Sequence, residues 1–257
     1  MCLIAIAYQA HPAWPLVVAA NRDEFHARPA LPANWWADAP QVWGGRDQTA
    51  GGSWMAVSRE RRFAAVTNVR RMQPPDPKAP SRGGLIQDFM TSSDSAAAYA
   101  EQLAGSAGRY AGFNLLLFDG QQLHFASNQD GYQQAPVSAG LHCVSNANLD
   151  TPWPKAQRLR AAMQGWLVAP DPDDQALFTA LADRAPAPDE QLPDTGVGLE
   201  MERFLSPPFI CSPRYGTRAS TLLSLDADGG VRVEERRFDA AGETIEARVE
   251  AFTLAPR

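Results

Sequence analysis

Two apolar segments open the chain, CLIAIAY and PLVVAAN, and a turn-like stretch, QAHPAW, separates them. Short runs rich in aliphatic and β-branched residues between turn signals are typical of buried β-strands. The pattern predicts a β-hairpin over residues 2–24 with its loop around His11–Trp14. If the loop is centred near Pro12, residues paired across the hairpin have numbers that sum to about 24. Cys2 is then predicted to lie opposite Arg22.

Later apolar runs predict further antiparallel strands. The segments GGSWMAVS and FAAVTNV are joined by a charged turn at Arg59–Arg62, and GFNLLLFDGQQLHFASN predicts a hairpin around Asp119-Gly120. The segments LHCVSN, ASTLLSLDADGGVRVEERRF and TIEARVEAFTL also predict β structure. The stretch that follows the first hairpin, through Pro40, is predicted as a Pro-rich loop with several Trp residues. Residues 186–213 are predicted as a second long loop.

Four segments predict helices. SRGGLIQDFM is predicted as a short helix capped by Ser81, and SDSAAAYAEQLAG as a helix capped by Ser93 or Asp94. In TPWPKAQRLRAAMQGWLV, Thr151 is predicted as N-cap with Pro152 at the first helical position. DDQALFTALADRA predicts another helix directly afterwards.

Many strands joined by hairpins and divided by two blocks of helices predict an α+β fold with mostly antiparallel sheets. Several strands, such as LIAIA, LVVAA and NLLLF, are apolar on both faces and need cover on both sides. Two facing sheets flanked by helices satisfy this requirement. No internal repeat or linker divides the sequence, so a single domain over residues 1–257 is predicted.

Composition narrows the classes of function. The chain has 257 residues, 45% hydrophobic and 20% charged, with a net charge of −6. It therefore lacks the overall basic field that favours nucleic acid or anionic membranes. The basic runs RERRF and VRRM are predicted as solvated turns. No segment is long and apolar enough for a membrane helix, and no secretory signal is evident.

Cysteine and histidine usage argues against bound metal. Three dispersed cysteines fit neither a disulfide framework nor a zinc pattern, and the four histidines lack metal-ligand spacing. No phosphate-binding glycine loop occurs. A cytoplasmic protein without a cofactor is therefore predicted.

The predicted hairpin brings the second residue of the chain close to a polar cluster, Asn21, Arg22 and Asp23. Removal of Met1 would give Cys2 a free amine, which titrates near 7.7–8.0, beside a thiol that titrates near 8.5. The amine is then able to take the thiol proton, a known activation scheme for nucleophiles. Arg22 would favour the thiolate and Asp23 would orient the amine. The alternative is that Cys2 is a small apolar residue at a strand start and the cluster is a solvated strand end.

A set of motifs found in order from residue 1 to about residue 224 carries a resemblance. ANRDEFHARP, GGSWMAV, FAAVTNVR, SRGGLIQDF, YAGFNLLL, SNANLDTPWPK and YGTRAST resemble the NRDE family, also called the transport-and-Golgi-organisation type 2 family. The resemblance implies an N-terminal-nucleophile (Ntn) hydrolase-like fold, a four-layer αββα sandwich of two mostly antiparallel sheets. Eukaryotic members are associated with secretory organisation, lipid metabolism and haem handling.

A more distant similarity, to cysteine Ntn amidases such as penicillin V acylases and bile salt hydrolases, implies roles for single residues. Cys2 and Asp23 match the amidase nucleophile and early Asp. Asn68 in VTNVR and Asn146 in VSNANLD fall where oxyanion-binding Asn residues are expected, and Arg218 in YGTRAST where a late Arg is expected. The alternatives are that both Asn residues satisfy turn backbone and that Arg218 forms a structural ion pair.

One departure from the amidase pattern concerns Arg22 and Asp23. They are adjacent here, whereas the amidases separate them by two residues. Adjacent strand residues point to opposite faces, so both face Cys2 only if the strand bends or bulges. Otherwise Asn21 shares the face of Asp23.

The sequence thus predicts a cysteine Ntn hydrolase that cleaves a non-peptide amide. Its predicted site residues are Cys2, Asn21, Arg22, Asp23, Asn68, Asn146 and Arg218. The alternative is a non-catalytic carrier of haem or lipid on the same scaffold. The expected partner is a small amide or acyl compound, without nucleic acid or stable membrane insertion.

Overall fold

The fold is taken from a computed structural model that describes residues 2–72 and 76–254. Within those ranges the chain forms thirteen strands. They are β1 (Cys2–His11), β2 (Trp14–Phe25), β3 (Ala30–Trp36), β4 (Ala39–Asp47), β5 (Met55–Ser58), β6 (Phe63–Asn68), β7 (Phe113–Phe118), β8 (Leu123–Ser127), β9 (Gln133–Pro136), β10 (Gly140–Val144), β11 (Tyr215–Leu225), β12 (Gly230–Phe238) and β13 (Thr244–Thr253).

The same ranges contain five α-helices and two short 3-10 turns. The helices are α1 (Gly83–Thr91), α2 (Ala96–Leu103), α3 (Pro154–Val168), α4 (Asp174–Leu181) and α5 (Leu199–Phe204). The 3-10 turns are Ala107–Arg109 and Asp189–Gln191. Among the described residues, no helix has the length and apolar character that a membrane span requires.

The chain divides into two compact units. The first contains the hairpin of β1 and β2, here called the site hairpin. This unit comprises the described residues of Met1–Ala27, Arg70–Gln73 and Ala139–Ala251. Its sheet has six strands in the order β10-β1-β2-β11-β12-β13. Alternate residues of β1 and β2, such as Leu3 and Val17, pack against Leu159 and Met163 of α3 and Phe178 of α4. Burial of this face fixes the strand register, because a one-residue slip would expose it.

The second unit comprises the described residues of Arg28–Val69, Pro74–Ser138 and Phe252–Arg257. Its seven strands follow chain order from β3 to β9, so each strand pairs with its sequence neighbour. Leu85 and Phe89 of α1 belong to the same buried cluster as Leu115 and Leu117 of β7. The prediction that the whole chain is one domain stays a prediction.

Most predicted strands are present, and the missed ones lie in polar or Pro-rich sequence. The segment through Pro40, predicted as a loop, forms strand β3 and the start of β4, which bury Trp36 and Trp43. Strand β9 was also not predicted, because its residues Gln133–Pro136 are exposed and lack an alternation of apolar and polar residues. The hairpin around Asp119-Gly120 is confirmed: β7 pairs with β8, and Gly120 has a φ of +89° that favours glycine.

The predicted helix starts are displaced by one or two residues. The cap of α2 is Ser95, which accepts a hydrogen bond from Ala98, rather than Ser93 or Asp94. The cap of α3 is Trp153 rather than Thr151, whose hydroxyl bonds the Asn148 carbonyl instead. For α2, Ser93, Asp94 and Ser95 all suit the cap position, so propensity leaves the choice open. For α3, Pro154 favours extended backbone at Trp153, so the helix begins at Pro154.

Two further predictions need correction in the same way. The N-cap of α1 is Arg82, although the Ser81 hydroxyl accepts a hydrogen bond from the Gly83 amide. The long loop predicted at 186–213 contains the short helix α5 and the 3-10 turn Asp189–Gln191.

Gly52 and Gly83 allow close backbone contact within the second unit. A Cβ on Gly52 would lie 2.2 Å from the carbonyl carbon of Gly83, and the Ser53 amide donates to the Gly83 carbonyl. The motifs GGSWM and SRGGL therefore meet backbone to backbone at the start of α1. Neither glycine tolerates a side chain without movement of the main chain.

We predict that Gly52→Ala destabilises the protein by about 2–3 kcal/mol, because the new methyl overlaps backbone that cannot rotate away. Gly84→Ala is the matched control, since nothing lies within 4 Å of its Cβ position. It is expected to be neutral or stabilising by up to about 1 kcal/mol. Urea unfolding of both variants measures the difference, and equal stabilities would contradict the assignment.

Candidate active site

The site hairpin has the register predicted from the sequence. Cys2 at the start of β1 pairs directly with Arg22 of β2, and the pairing continues through Ile4 and Ala20. The Cys2 side chain is almost fully buried, so its neighbours decide its chemistry.

Asn146 lies two residues beyond strand β10, which pairs with β1 on the side away from β2. The pairing of β1 with β10 ends at Ile4 and Val144. The Ser145 hydroxyl lies 2.9 Å from the Cys2 carbonyl oxygen and 3.2 Å from Asn146 Oδ1. Cys2 is therefore paired directly with Arg22 and connected to Asn146 through Ser145.

Asp23 is brought to Cys2 beside a bulge in the adjacent strand. In the pairing of β2 with β11, Asp23 is opposite Thr217 and Arg22 is opposite Ala219, so Arg218 is an extra residue. The β-bulge therefore lies in β11, opposite Arg22 and Asp23. In a regular strand the side chains of these two adjacent residues would point to opposite faces of the sheet. The Thr217 hydroxyl donates to Asp23 Oδ1 at 2.8 Å, and the Asp23 backbone N–H donates to the Cys2 sulfur.

Asn21 makes structural contacts. Its side-chain nitrogen donates to the carbonyl oxygens of Leu181 and Pro208 at 2.8 and 2.9 Å, and the Ser220 hydroxyl donates to its oxygen at 2.6 Å. The amide thereby ties β2 to the end of α4 and to the segment before β11. A catalytic role for Asn21 stays a prediction.

Arg218 and Asn68 occupy different surroundings. The half-buried Arg218 donates to the carbonyl oxygens of Phe25 and His26 at 2.9 and 3.1 Å. Burial lowers its pKa, and the nearby charge of Arg22 lowers it further. Asn68 is the last residue of β6 in the second unit, opposite Phe113. Its predicted place in the oxyanion site stays a prediction.

Lys155, which was not among the predicted site residues, lies in the first turn of α3 and is only 2% exposed. Its Nζ has no hydrogen-bond partner among the described residues. Burial lowers its pKa to about 8, the charge of Asp23 opposes that shift, and Arg70 and Cys2 also act on it. A signal was present: Lys155 lies four and eight residues before the buried Leu159 and Met163, on the apolar stripe of the helix.

Arg70 and Glu202 form a buried ion pair beside Lys155, with both side chains 4% exposed. The Arg70 guanidinium stacks 4.6 Å from the Trp153 ring, and its backbone N–H donates to the Asn146 carbonyl at 2.8 Å. Thr195 donates to the other oxygen of Glu202 through its backbone N–H, at 3.0 Å, and its hydroxyl. This arrangement attaches the cation to both Asn146 and the start of α3.

The prediction of solvated turns for the two basic runs is therefore wrong for one arginine in each. The Arg70 side chain in VRRM is only 4% exposed. Arg62 in RERRF is buried and donates to the Phe89 and Asp94 carbonyls at 3.1 and 2.7 Å. Both cations pack on aromatic rings, a contact that local charge clustering does not reveal.

Burial also controls the two acids of the site. It raises the pKa of the Cys2 thiol, with Asp23 raising it further and Arg22 lowering it. Burial likewise raises the pKa of Asp23, against the opposing charge of Lys155. The resting thiol is therefore neutral, and a thiolate forms when a neighbouring group accepts its proton.

The described residues hold no cluster of three or more His, Cys, Asp or Glu side chains able to bind a metal. Met1, whose removal the predicted amine-activated mechanism requires, lies outside the described residues. The site is thus characterised by one thiol, three buried cations and two buried carboxylates.

The fold is that of the Ntn-hydrolase class. A solved structure described as a Caenorhabditis elegans N-acylethanolamine-hydrolyzing acid amidase ortholog superimposes with a TM-score of 0.54. The match has 8% sequence identity and covers 87% of this chain and 92% of that one, so it shows the fold alone. Together with the two antiparallel sheets and their helices, it confirms the predicted α+β, Ntn-hydrolase-like fold class.

Sequence comparison identifies the family. Residues 1–240 match the Transport and Golgi organisation 2 family. The Bos taurus Transport and Golgi organization protein 2 homolog is 33% identical over 92% of both chains, and the Homo sapiens homolog is 31% identical over 99% of both. The chain belongs to this family, which confirms the resemblance drawn from its motifs.

The lowered pKa of Lys155 predicts a pH-dependent contribution to stability. Between about pH 8, its pKa in the folded protein, and 10.5, its ordinary value, the unfolded chain binds the proton more tightly. Stability therefore rises with pH across this window. Wild type should gain stability relative to Lys155→Met as the pH increases, as measured by urea unfolding. The exposed Lys78→Met is the control, and a constant difference between wild type and Lys155→Met would contradict the shift.

Proposed function

We propose that this protein is an Ntn-type cysteine hydrolase that cleaves a non-peptide amide, with Cys2 as nucleophile. The observation that carries the proposal is the position of Cys2, which is paired with Arg22 and connected through the Ser145 hydroxyl to Asn146. A buried cysteine that served only for packing would not require cations and carboxylates around it, since buried charges are costly. Perturbed titratable groups that converge on one nucleophile are typical of catalytic sites.

The reaction begins with transfer of the Cys2 proton to a base. The Cys2 α-amine is one base if Met1 is removed, and the Lys155 amine, with a pKa of about 8, is another. The sulfur then attacks the amide carbonyl carbon, and Asn146 stabilises the oxygen that becomes negative. Asn68 is proposed as a second oxyanion donor.

The intermediate collapses when the C–N bond breaks and the base returns the proton to the leaving amine. Water then attacks the thioester carbon, the C–S bond breaks, and the thiol is restored. Arg22 stabilises the thiolate in both steps, Asp23 orients the protonated base, and Arg218 holds the backbone around them. The structure superimposed above is named for hydrolysis of N-acylethanolamines, which makes fatty-acid amides a suitable first class of substrate.

The cysteines favour a cytoplasmic location for this activity. Cys2, Cys143 and Cys211 are all free. Free, dispersed thiols are typical of reducing compartments. A small amide or acyl compound is the partner that the proposal requires.

We predict that Cys2→Ala lowers amide turnover by more than about a thousandfold, because no other thiol is held beside the base. The matched control is Cys211→Ala, an exposed cysteine on the surface of the first unit. Turnover is measured on a panel of N-acyl amines and N-acyl amino acids, with folding checked by circular dichroism. Full turnover in Cys2→Ala would overturn the assignment of Cys2 as nucleophile. No turnover by wild type on any member of the panel would favour the non-catalytic carrier of haem or lipid.

Intact mass spectrometry separates the two candidate bases. If the Cys2 amine is the only base, turnover belongs to the Met1-free protein, and a preparation that retains Met1 is inactive. Turnover by Met1-retaining protein that is lost in Lys155→Met would assign the base to Lys155. Turnover that survives both changes would contradict both assignments.

A further inference from the structure

The proposed mechanism leaves one edge of Arg70 unused. Its Nη1 bonds Glu202, whereas Nε and Nη2 are buried and have no hydrogen-bond partner among the described residues. These two nitrogens form the side edge of the guanidinium, where two N–H groups point in parallel. Parallel donors of this kind match the two oxygens of a carboxylate.

The same chain shows how this edge is normally used. On α5, Arg203 donates from Nε and Nη2 to the two oxygens of Asp189, with Nε at 2.7 Å. Arg203 makes this contact in solvent, where an arginine has water as an alternative. Arg70 is buried, so its open edge carries a larger desolvation cost.

The guanidinium is held in a fixed orientation. Its ring partner is Trp153, and both Glu202 oxygens are engaged, one by Arg70 and the other by Thr195. The Arg70 backbone is bonded to Asn146, which connects to Cys2 through the Ser145 hydroxyl. The donors are therefore positioned before any ligand arrives.

A second cation with unused hydrogen-bond donors lies close enough to Arg70 for the two charges to interact. Lys155 is in the first turn of α3, two residues after Trp153, and its Nζ has no hydrogen-bond partner among the described residues. The Trp153 cap contributes no side-chain hydrogen bond to the helix start. The positive end of the helix dipole adds to the two cations.

The charge balance selects the kind of anion. Among the described buried side chains of the cluster, Arg22, Arg70 and Lys155 are cations, and Asp23 and Glu202 are carboxylates. One positive charge remains in excess when Lys155 is protonated, the thiol is neutral and the Cys2 amine is the uncharged base. A monoanion balances it, whereas a phosphate dianion would leave a buried negative charge.

We propose that the Nε/Nη2 edge of Arg70, together with Lys155, receives a carboxylate of the substrate beside Cys2. This inference rests on the proposed function and narrows its substrate class to amides with a carboxylate close to the scissile bond, such as N-acyl amino acids. Arg70 and Lys155 thereby become specificity-determining residues.

Alkylation of Cys2 by two matched reagents tests the carboxylate site without requiring turnover. Iodoacetate and iodoacetamide both react when the sulfur displaces iodide and a C–S bond forms, but only iodoacetate carries a carboxylate. Peptide mass spectrometry gives the rate at Cys2 and, as an internal reference, at the exposed Cys211. We expect the iodoacetate-to-iodoacetamide ratio to be about tenfold higher at Cys2 than at Cys211.

Variants assign the preference to its residues. Arg70→Met and Lys155→Met should each bring the Cys2 ratio towards that of Cys211, whereas Arg203→Met, which removes the same edge from α5, should leave it unchanged. Arg70→Lys keeps the charge but not the parallel donors, and should give an intermediate ratio. If Arg70→Met fails to fold, the carboxylate site is still tested by the wild-type ratio at Cys2 and by its decrease in Arg70→Lys.

The kind of anion that the site binds is tested by measuring which compounds protect Cys2 of the wild-type protein from alkylation. Propionate should slow alkylation of Cys2 by iodoacetamide, and neutral propionamide should not. Stronger protection by inorganic phosphate, equal ratios at Cys2 and Cys211, or no reaction of Cys2 with either reagent would each overturn the carboxylate site. A preference for iodoacetate without turnover of any amide would refute the proposed hydrolase and retain the carboxylate site.

Discussion

The pairing of β1 with a strand on each side is the constraint on which the site depends. Through it, the second residue of the chain is held opposite Arg22, and its carbonyl oxygen meets the hydroxyl of Ser145, the neighbour of Asn146. A shift of one residue would turn Cys2 to the other face of the sheet. The packing of Leu3 against helix α3 prevents that shift, so the apolar core determines which polar groups meet the thiol.

The buried charges around Cys2 are arranged at a cost to stability. Replacing such groups by apolar residues of similar size often stabilises a protein, so their presence favours a role in chemistry or recognition. Lys155 is the clearest case, because an apolar residue would fit the same stripe of α3. Its position on that stripe brings a cation to the nucleophile that no local polar cluster supplies.

The two hairpins could be predicted from the sequence because their strand pairing depends on residues that are close together in the chain. The length of the first loop set the register that pairs Cys2 with Arg22, and a turn at Asp119-Gly120 set the second hairpin. Where local preferences are weak, the predictions failed. The Pro- and Trp-rich segment before Pro40 forms strands because its neighbours supply hydrogen-bond partners. The cap of α2 moved because Ser93, Asp94 and Ser95 all suit that position, and the start of α3 moved because Pro154 favours extended backbone at Trp153.

The sequence by itself determined the antiparallel hairpin, the place of the cysteine beside Arg22, and the family to which the motifs belong. Only the tertiary structure decided that Lys155, Arg70 and Glu202 are buried together. The physical reason is that strand register follows from neighbouring residues, whereas the burial of a charge depends on which distant segments cover it. Arg70 follows β6, Lys155 begins α3 and Glu202 lies on α5, so no local pattern links them.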